Sequence, residues 1–162
     1  MKKIVLVIAL AIVALSASVS VSAKVEGKRS SVSYVSLSAL TNLSASDWGV
    51  GAAFGFRNYN RNSFVSFAPS IEVFGEFFPN DKVFGAFVIP ELGVAIGPAG
   101  FKLFPHTGFM LGYDNQTRKF AWGGKSGFSL DFGKHFTFDV STYIPKFDFK
   151  AMTWGAGIVW RF

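Results

Sequence analysis

Large apolar side chains alternate with small or polar ones along most of the chain. Between residues 47 and 57, Trp48, Val50 and Phe54 share one side of the pattern, while glycines and Arg57 lie on the other. Because successive side chains of an extended chain point to opposite faces, this period of two indicates β-strands. The same alternation recurs at 65–77, 84–96, 101–113, 120–132, 136–144 and 152–162, and a weaker first strand is expected at 30–41.

Turn-forming residues separate these segments at regular intervals. Asn, Asp, Gly and Pro are concentrated in breaks at 57–62, 79–82, 97–100, 114–117 and 133–135. Most of the predicted strands are roughly 10 to 15 residues long, which exceeds the usual length in soluble sheets and is enough to cross a bilayer when tilted. The sequence therefore predicts an all-β fold, an eight-stranded antiparallel up-and-down transmembrane β-barrel.

The volume of the rings decides which face of this barrel is outside. The chain has 20 Phe and 17 Gly. The rings fall mainly on one face of the predicted strands, and the opposite face is mostly Gly, Ala and Ser. The interior of an eight-stranded barrel is only just wide enough for side chains. We therefore expect the rings to point outward into hydrocarbon, with small residues and a few charges inside.

The first residues have the composition of an export signal. Lys2 and Lys3 precede an apolar run at 4–15 that is too short to span a bilayer. Small residues follow as far as a cleavage site after residue 23. The predicted organisation is a cleaved signal peptide at 1–23 and a single outer-membrane β-barrel domain at 24–162.

Charge and cysteine content exclude several other classes of protein. The full chain has a formal charge of +6, and removing Lys2 and Lys3 leaves 14 basic against 10 acidic residues, or +4. The basic residues are scattered, so no nucleic-acid footprint is expected. The absence of Cys excludes disulfides and a lipoprotein anchor. No Cys or His cluster has the spacing of a metal site, and we expect neither metal nor cofactor.

The last strand carries a pattern of its own. It ends Trp160-Arg161-Phe162, Gly157 lies just before, and apolar residues occupy every second position back to Met152. This ending resembles the C-terminal assembly signal of outer-membrane barrels, with Gly157, Trp160 and Phe162 as its candidate residues. With the export signal and the strand pattern, it makes the mature chain similar to the small OmpA/OmpX-type barrels of the bacterial outer membrane.

That resemblance implies a location and a set of partners. Both termini would lie in the periplasm, and the barrel-assembly machinery would insert the chain into the outer membrane. The folded chain, a monomer, would contact outer-membrane lipid and lipopolysaccharide. Periplasmic turns are then expected at 57–62, 97–100 and 133–135, and outer loops near 42–46, 79–82, 114–119 and 145–150. These outer loops are shorter than family members often carry, which weakens a receptor or adhesin role.

Polar side chains recur on the face expected inside the barrel. The candidate lumen polar network comprises Glu72, Glu76, Glu91, Lys102, His106, Lys125, Asp131, Asp139 and Arg161. Because both signs of charge are present, these residues are interpreted as paired charges that fill the barrel. The alternative is a narrow path for water or ions, since lumen glycines leave room for water. Counting across the 114–119 hairpin places Lys102 opposite Asp131 and predicts an ion pair between them.

The two histidines are the candidates for acid–base chemistry. Hairpin counting places Glu91 opposite both Ser70 and His106, but a catalytic triad needs His in the middle of such a row. His135 and Thr137 have the spacing of the His-x-Ser pair of lipid A deacylases, with Thr in place of Ser and at a predicted periplasmic turn. We therefore do not expect an enzyme.

Three functional hypotheses follow from the sequence. The first is an integral outer-membrane barrel with a structural or interaction role in the bacterial envelope. The second is a transport protein, a porin-like narrow pore or small-ligand channel. The third is a lipid-modifying outer-membrane enzyme.

Overall fold

A computed structural model describes residues 30–42, 47–115 and 119–162. The predicted signal peptide, the segment 24–29 and parts of two predicted outer loops, 43–46 and 116–118, lie outside the described residues. In the described ranges, no helix is long and apolar enough to cross a membrane.

The described residues form nine antiparallel strands and one short 3₁₀ helix. The strands are β1 Ser30–Asn42, β2 Asp47–Tyr59, β3 Val65–Phe67, β4 Ser70–Phe78, β5 Val83–Ile96, β6 Phe101–Asp114, β7 Lys119–Phe132, β8 Phe136–Pro145 and β9 Thr153–Arg161, and the 3₁₀ helix is Phe149–Ala151.

The strands close into a barrel with eight wall strands. β3 and β4 pair with the same strand, β5, in one continuous register, so together they form one wall strand interrupted at Ala68 and Pro69. Pro69 has no N–H for the ladder, which accounts for the interruption at this point. β1 pairs with β9, and β5 pairs with β6, so the sheet has no open side. The predicted all-β, eight-stranded antiparallel architecture is confirmed at this level.

The pairing is staggered around the barrel. A trace through directly paired residues leaves β1 at Val32 and returns to it at Asn42, ten residues further on. Such a stagger tilts the strands relative to the barrel axis. It also brings lumen side chains from distant strands to the same level, which is how the polar interior described below is assembled.

Exposure alternates along the strands as the pattern predicted. In β2, Asp47 is buried, Trp48 and Val50 are more than half exposed, and Gly49 between them is buried. β9 alternates in the same way from buried Thr153 to buried Arg161. The outer face of the barrel therefore carries the large apolar side chains.

The two ends of the barrel differ in their connections. The described chain enters at the start of β1 and leaves at the end of β9 at one end, which we call the terminal mouth, and the opposite end is the distal mouth. The turn predicted at 57–62 is wrong in its bounds, because β2 continues to Tyr59 and the connection spans 60–64. Arg57 and Tyr59 are both buried inside the barrel, which holds this segment in the wall.

The interior contains more rings than the sequence suggested. Phe74, Phe87, Phe104 and other aromatic side chains are buried there, in a lumen expected to hold mainly small residues. Glycines on neighbouring strands make the room: Cβ atoms added at Gly51 and Gly93 would lie within 3 Å of Phe74 and Phe104. Several lumen glycines thus accommodate rings, whereas the alternative of a narrow polar path assumed that they leave room for water.

Candidate functional site: the polar interior

A central cluster of charges crosses the middle of the lumen. It consists of Glu72, Glu91, His106, Lys125 and Asp139, contributed by β4, β5, β6, β7 and β8. Lys125 Nζ donates to Glu72 Oε1 at 2.8 Å and lies 2.6 Å from Glu91 Oε1. One ammonium group therefore lies between two buried carboxylates and offsets part of the repulsion between them.

His106 lies between the two remaining acids of this cluster. Its Nε2 is 3.2 Å from Asp139 Oδ1, and its Nδ1 is 3.6 Å from Glu91 Oε2. Ser129 and Ser141 donate their hydroxyls to Asp139. The imidazole thus contacts two carboxylates, and its side chain is 1% exposed. This arrangement holds the charged side chains of the cluster in place and does not present a serine for nucleophilic attack.

The predicted row of Ser70, Glu91 and His106 is only partly correct. Ser70 lies directly opposite Glu91 and donates to its Oε2 at 3.1 Å. His106 lies opposite Gly93, two residues away from the predicted partner. The turn closes through the Phe101 N–H to Pro98 O bond, so its central residues fall one position later than expected and the register moves by two.

A second group of charges, the terminal-side cluster, lies nearer the terminal mouth. Arg161 donates to Asp131 Oδ2 and, at 3.1 Å, to the hydroxyl of Tyr59. Tyr59 and Thr137 also donate to Asp131, at 3.0 and 2.7 Å. Asp131 is thereby surrounded by donors, and the last strand is tied by Arg161 to β2 and β7.

Arg57 connects the two clusters. Its guanidinium lies 3.7 Å from Asp131 Oδ1 and 3.4 Å from Ser129 Oγ. The same group stacks over the Phe104 ring at 3.6 Å, and that ring in turn stacks on the imidazole of His106 at 5.4 Å. A cation over an aromatic face is attracted by the ring quadrupole, so Phe104 packs favourably between two basic groups.

The predicted ion pair between Lys102 and Asp131 is wrong, although the register behind it is correct. The two residues face each other across β6 and β7. Lys102 Nζ instead donates to the carbonyls of Ser63 and Gly97, at 2.7 and 2.8 Å. The lysine bends toward the terminal mouth because turn carbonyls there need donors, while Asp131 already has Arg161.

His135 and Thr137 are not brought together as a site. His135 lies in the exposed turn after β7, stacks on Trp160 and bonds to the carbonyl of Arg161 at 3.0 Å. Thr137 points inside and bonds to Asp131. The two side chains therefore lie on opposite sides of the wall and perform separate structural tasks.

Glu76 lies apart from both clusters, at the distal mouth. It lines a cavity of about 300 Å³ there. At the other end, Lys102, Asp131 and Arg161 line a separate cavity of about 420 Å³. Of the nine predicted network residues, the structure thus places five in the central cluster, Asp131 and Arg161 in the terminal-side cluster, and Lys102 and Glu76 at the mouths.

Apolar side chains pack on both sides of the central cluster. Leu40, Phe74, Phe87 and Met110 belong to a core cluster on the distal side of the central charges. Val32, Tyr59, Ala68, Ala95 and Phe104 form a second cluster on the terminal side. Strand β6 shows the order directly, with Lys102, Phe104, His106 and Met110 facing inward in sequence. The two mouth cavities share no lining residue.

Two tyrosines of the interior were missed by sequence reasoning. Tyr34 donates to Glu72 Oε2 at 3.0 Å, and Tyr59 bonds to both members of the Asp131–Arg161 pair. Tyr59 could have been found by continuing the alternation of β2 past Arg57. The pattern of β1 is too weak to assign Tyr34 to a face.

The three candidate assembly-signal residues line the seam where the barrel closes. A Cβ at Gly157 would stand 2.4 Å from the carbonyl of Leu37, so close approach of β9 and β1 requires this glycine. Trp160 packs edge-on against Phe136 on the outer face at 4.6 Å. The Phe162 amide donates to Ser33 O at 2.9 Å, and its ring is 63% exposed.

In the described part of the chain, no group of three or more His, Asp or Glu side chains is placed to hold a metal ion. Searches of protein-family models, curated proteins and solved structures found no match to this chain. The fold and interior therefore define its class by themselves: a closed, eight-stranded antiparallel β-barrel with a charged, aromatic-packed lumen and an apolar outer face.

Proposed function

We propose that this protein is an integral β-barrel of the bacterial outer membrane with a structural or interaction role in the envelope. In this proposal residues 1–23 direct export and are removed. The barrel-assembly machinery inserts the mature chain, which resides as a monomer among outer-membrane lipid and lipopolysaccharide with its termini in the periplasm. It performs no catalysis, and its interior serves to hold the wall together.

One observation carries the proposal: the large apolar side chains surround the outside of a closed barrel. Leu37 is 72% exposed, Ile158 is 62% exposed and Phe128 is 45% exposed, each in a different wall strand. In water so much apolar surface would promote association. In hydrocarbon the same surface is favourable, and closure leaves no unpaired strand edge.

The interior favours a structural role over the porin-like pore. Apolar rings lie above and below the central cluster, and rings such as Phe74 and Phe104 fill the room beside several lumen glycines. A conducting path would need water between these layers. Single-channel recording tests this directly: we expect no steady conductance from purified protein in planar bilayers, and defined unitary steps would favour the pore.

The lipid-modifying enzyme is tested by a different measurement. Under our proposal, expression in a Gram-negative host leaves the mass spectrum of lipid A unchanged. A reproducible mass shift that depends on His106 or His135 would contradict the non-enzymatic assignment.

A lysine scan of one strand tests the membrane location itself. Leu37 and Ser31 both lie exposed on the outer face of β1, with Leu37 in the middle of the strand and Ser31 at its end. In a bilayer, Leu37→Lys should cost about 2–4 kcal/mol and Ser31→Lys only about 0–1, because the penalty depends on depth. The readout is the free energy of unfolding in lipid vesicles. In a water-soluble barrel the two changes would be equally harmless, and that outcome would overturn the proposal.

A further inference from the structure

The cavity at the distal mouth is strongly acidic. Within the described residues, five carboxylates line it and Lys146 supplies the single ammonium group; the acids are Asp47, Glu76, Asp81, Asp114 and Asp148. The volume of about 300 Å³ lies at the lower end of the range for small-ligand sites. Charge and size together indicate a small cationic ligand.

Glu76 is an independent indication of a ligand, because it is enclosed and pairs with no basic side chain of the described residues. The side chain is largely buried in the wall of the mouth and lines the cavity. Its Oε1 lies over β5, 2.8 Å from the place where a Cβ on Gly85 would stand. Within the described residues, no hydrogen bond or ion pair of the Glu76 carboxylate is formed, whereas Lys125 and Arg161 pair with carboxylates deeper inside.

The other acids of the mouth are partly held by local groups. Asp47 Oδ1 accepts from the Trp48 amide and from Asn80 Nδ2, both at 2.8 Å. Asp148 Oδ1 accepts from the Lys150 amide at 3.0 Å. These bonds orient Asp47 and Asp148 around the mouth without supplying a positive charge to either.

Part of the cavity lining is apolar. Phe78, Val83 and Ala121 line it together with the acids. No group of acids among the described residues is placed to hold a metal ion. We propose that the distal mouth binds an aliphatic di- or polyamine, whose methylene chain packs on these apolar side chains while its ammonium groups pair with Glu76 and the rim carboxylates. This inference requires a folded barrel and does not depend on the membrane in which the barrel resides.

The test uses the mature chain, folded in detergent and studied by calorimetric titration at fixed ionic strength. Hexamethylenediamine and spermidine are the probes, and hexanediol is the uncharged counterpart of the diamine. We expect saturable binding of the amines at one site per barrel and no binding of the diol. Equal binding of Mg²⁺ and diamine at matched charge, or no saturable amine binding, would overturn the proposal.

Two variants that change the net charge equally locate the site. Glu76→Gln should weaken amine binding by about tenfold or more, the effect of losing one charge-assisted contact. Ala99→Lys also raises the net charge by one, but at an exposed turn of the terminal mouth, and should leave the affinity within about twofold. As a check that they are folded, both variants must migrate like the parent barrel on gels when the samples are not heated. An equal loss in both would show that overall charge, and not this mouth, attracts the amine.

Discussion

Replacing Lys125 by methionine tests whether the central cluster stabilises the barrel. Its ammonium group lies 2.8 Å from Glu72 Oε1 and 2.6 Å from Glu91 Oε1, and the side chain is 3% exposed. Methionine preserves most of the length of the side chain and removes the charge. The variant therefore leaves two neighbouring buried carboxylates without their shared cation.

The expected loss follows from the cost of unpaired buried charge. Removing one partner of a buried ion pair typically costs about 3–5 kcal/mol. Lys125→Met should therefore lower the free energy of unfolding by about that amount, which is roughly a hundredfold to several-thousandfold in the ratio of folded to unfolded protein. Lys134→Met, in the exposed turn after β7, is the control and should stay within about 0.5 kcal/mol of the parent protein.

A combined variant separates charge from packing. Adding Glu72→Gln and Glu91→Gln to Lys125→Met removes the two unpaired carboxylates and should recover most of the lost stability. The effects of substitutions within one network of contacts are not additive. The free energies of unfolding come from urea titrations of the protein in lipid vesicles. The folded fraction is read from the migration of the protein on gels when the samples are not heated. A Lys125→Met variant as stable as the parent, or a triple variant no better than the sum of its parts, would refute the reasoning.

Three further changes test other parts of the structure. Deleting Phe162 should reduce delivery to the outer membrane in cells while refolding into detergent survives; unchanged delivery would show that the terminal ring is incidental. Gly112→Ala should destabilise the barrel by about 1–3 kcal/mol, because a Cβ there would lie 2.0 Å from a carbonyl oxygen of the paired strand. Gly100→Ala is the control and should be neutral, because the space around Gly100 is open; urea titrations compare the two. Lys102→Met should lower the free energy of unfolding by about 1–3 kcal/mol, because two turn carbonyls lose their donor, and adding Asp131→Leu should lower it further. Recovery of stability in the double variant would instead support an ion pair between Lys102 and Asp131.

The wall of the barrel was predictable because strand geometry is local. A period of two assigns each side chain to a face without any knowledge of the partner strand, and the burial of β2 and β9 follows it closely. The facing of Lys102 and Asp131 also followed from counting across one hairpin. The predicted turn centre at Pro98 and Ala99 is one residue too early, so the register differs by two and Gly93, not Glu91, lies directly opposite His106.

The interior was less predictable because it is assembled across the barrel. Contacts such as Tyr34 with Glu72 and Tyr59 with Asp131 join residues 38 and 72 positions apart. Their partners depend on the stagger of the closed sheet, which no single hairpin reveals. The choice between Asp131 and turn carbonyls for Lys102 likewise depends on Arg161, which reaches Asp131 from the last strand.

Tryptophan quenching tests the central claim, that the outer face of this barrel is covered by lipid. The chain has four tryptophans, Trp48, Trp122, Trp154 and Trp160, and each is at least 40% exposed on the outer face. For protein reconstituted in vesicles, we expect strong quenching of their fluorescence by lipids with brominated acyl chains and weak quenching by aqueous acrylamide. Efficient quenching by acrylamide without an effect of brominated lipid would contradict the account.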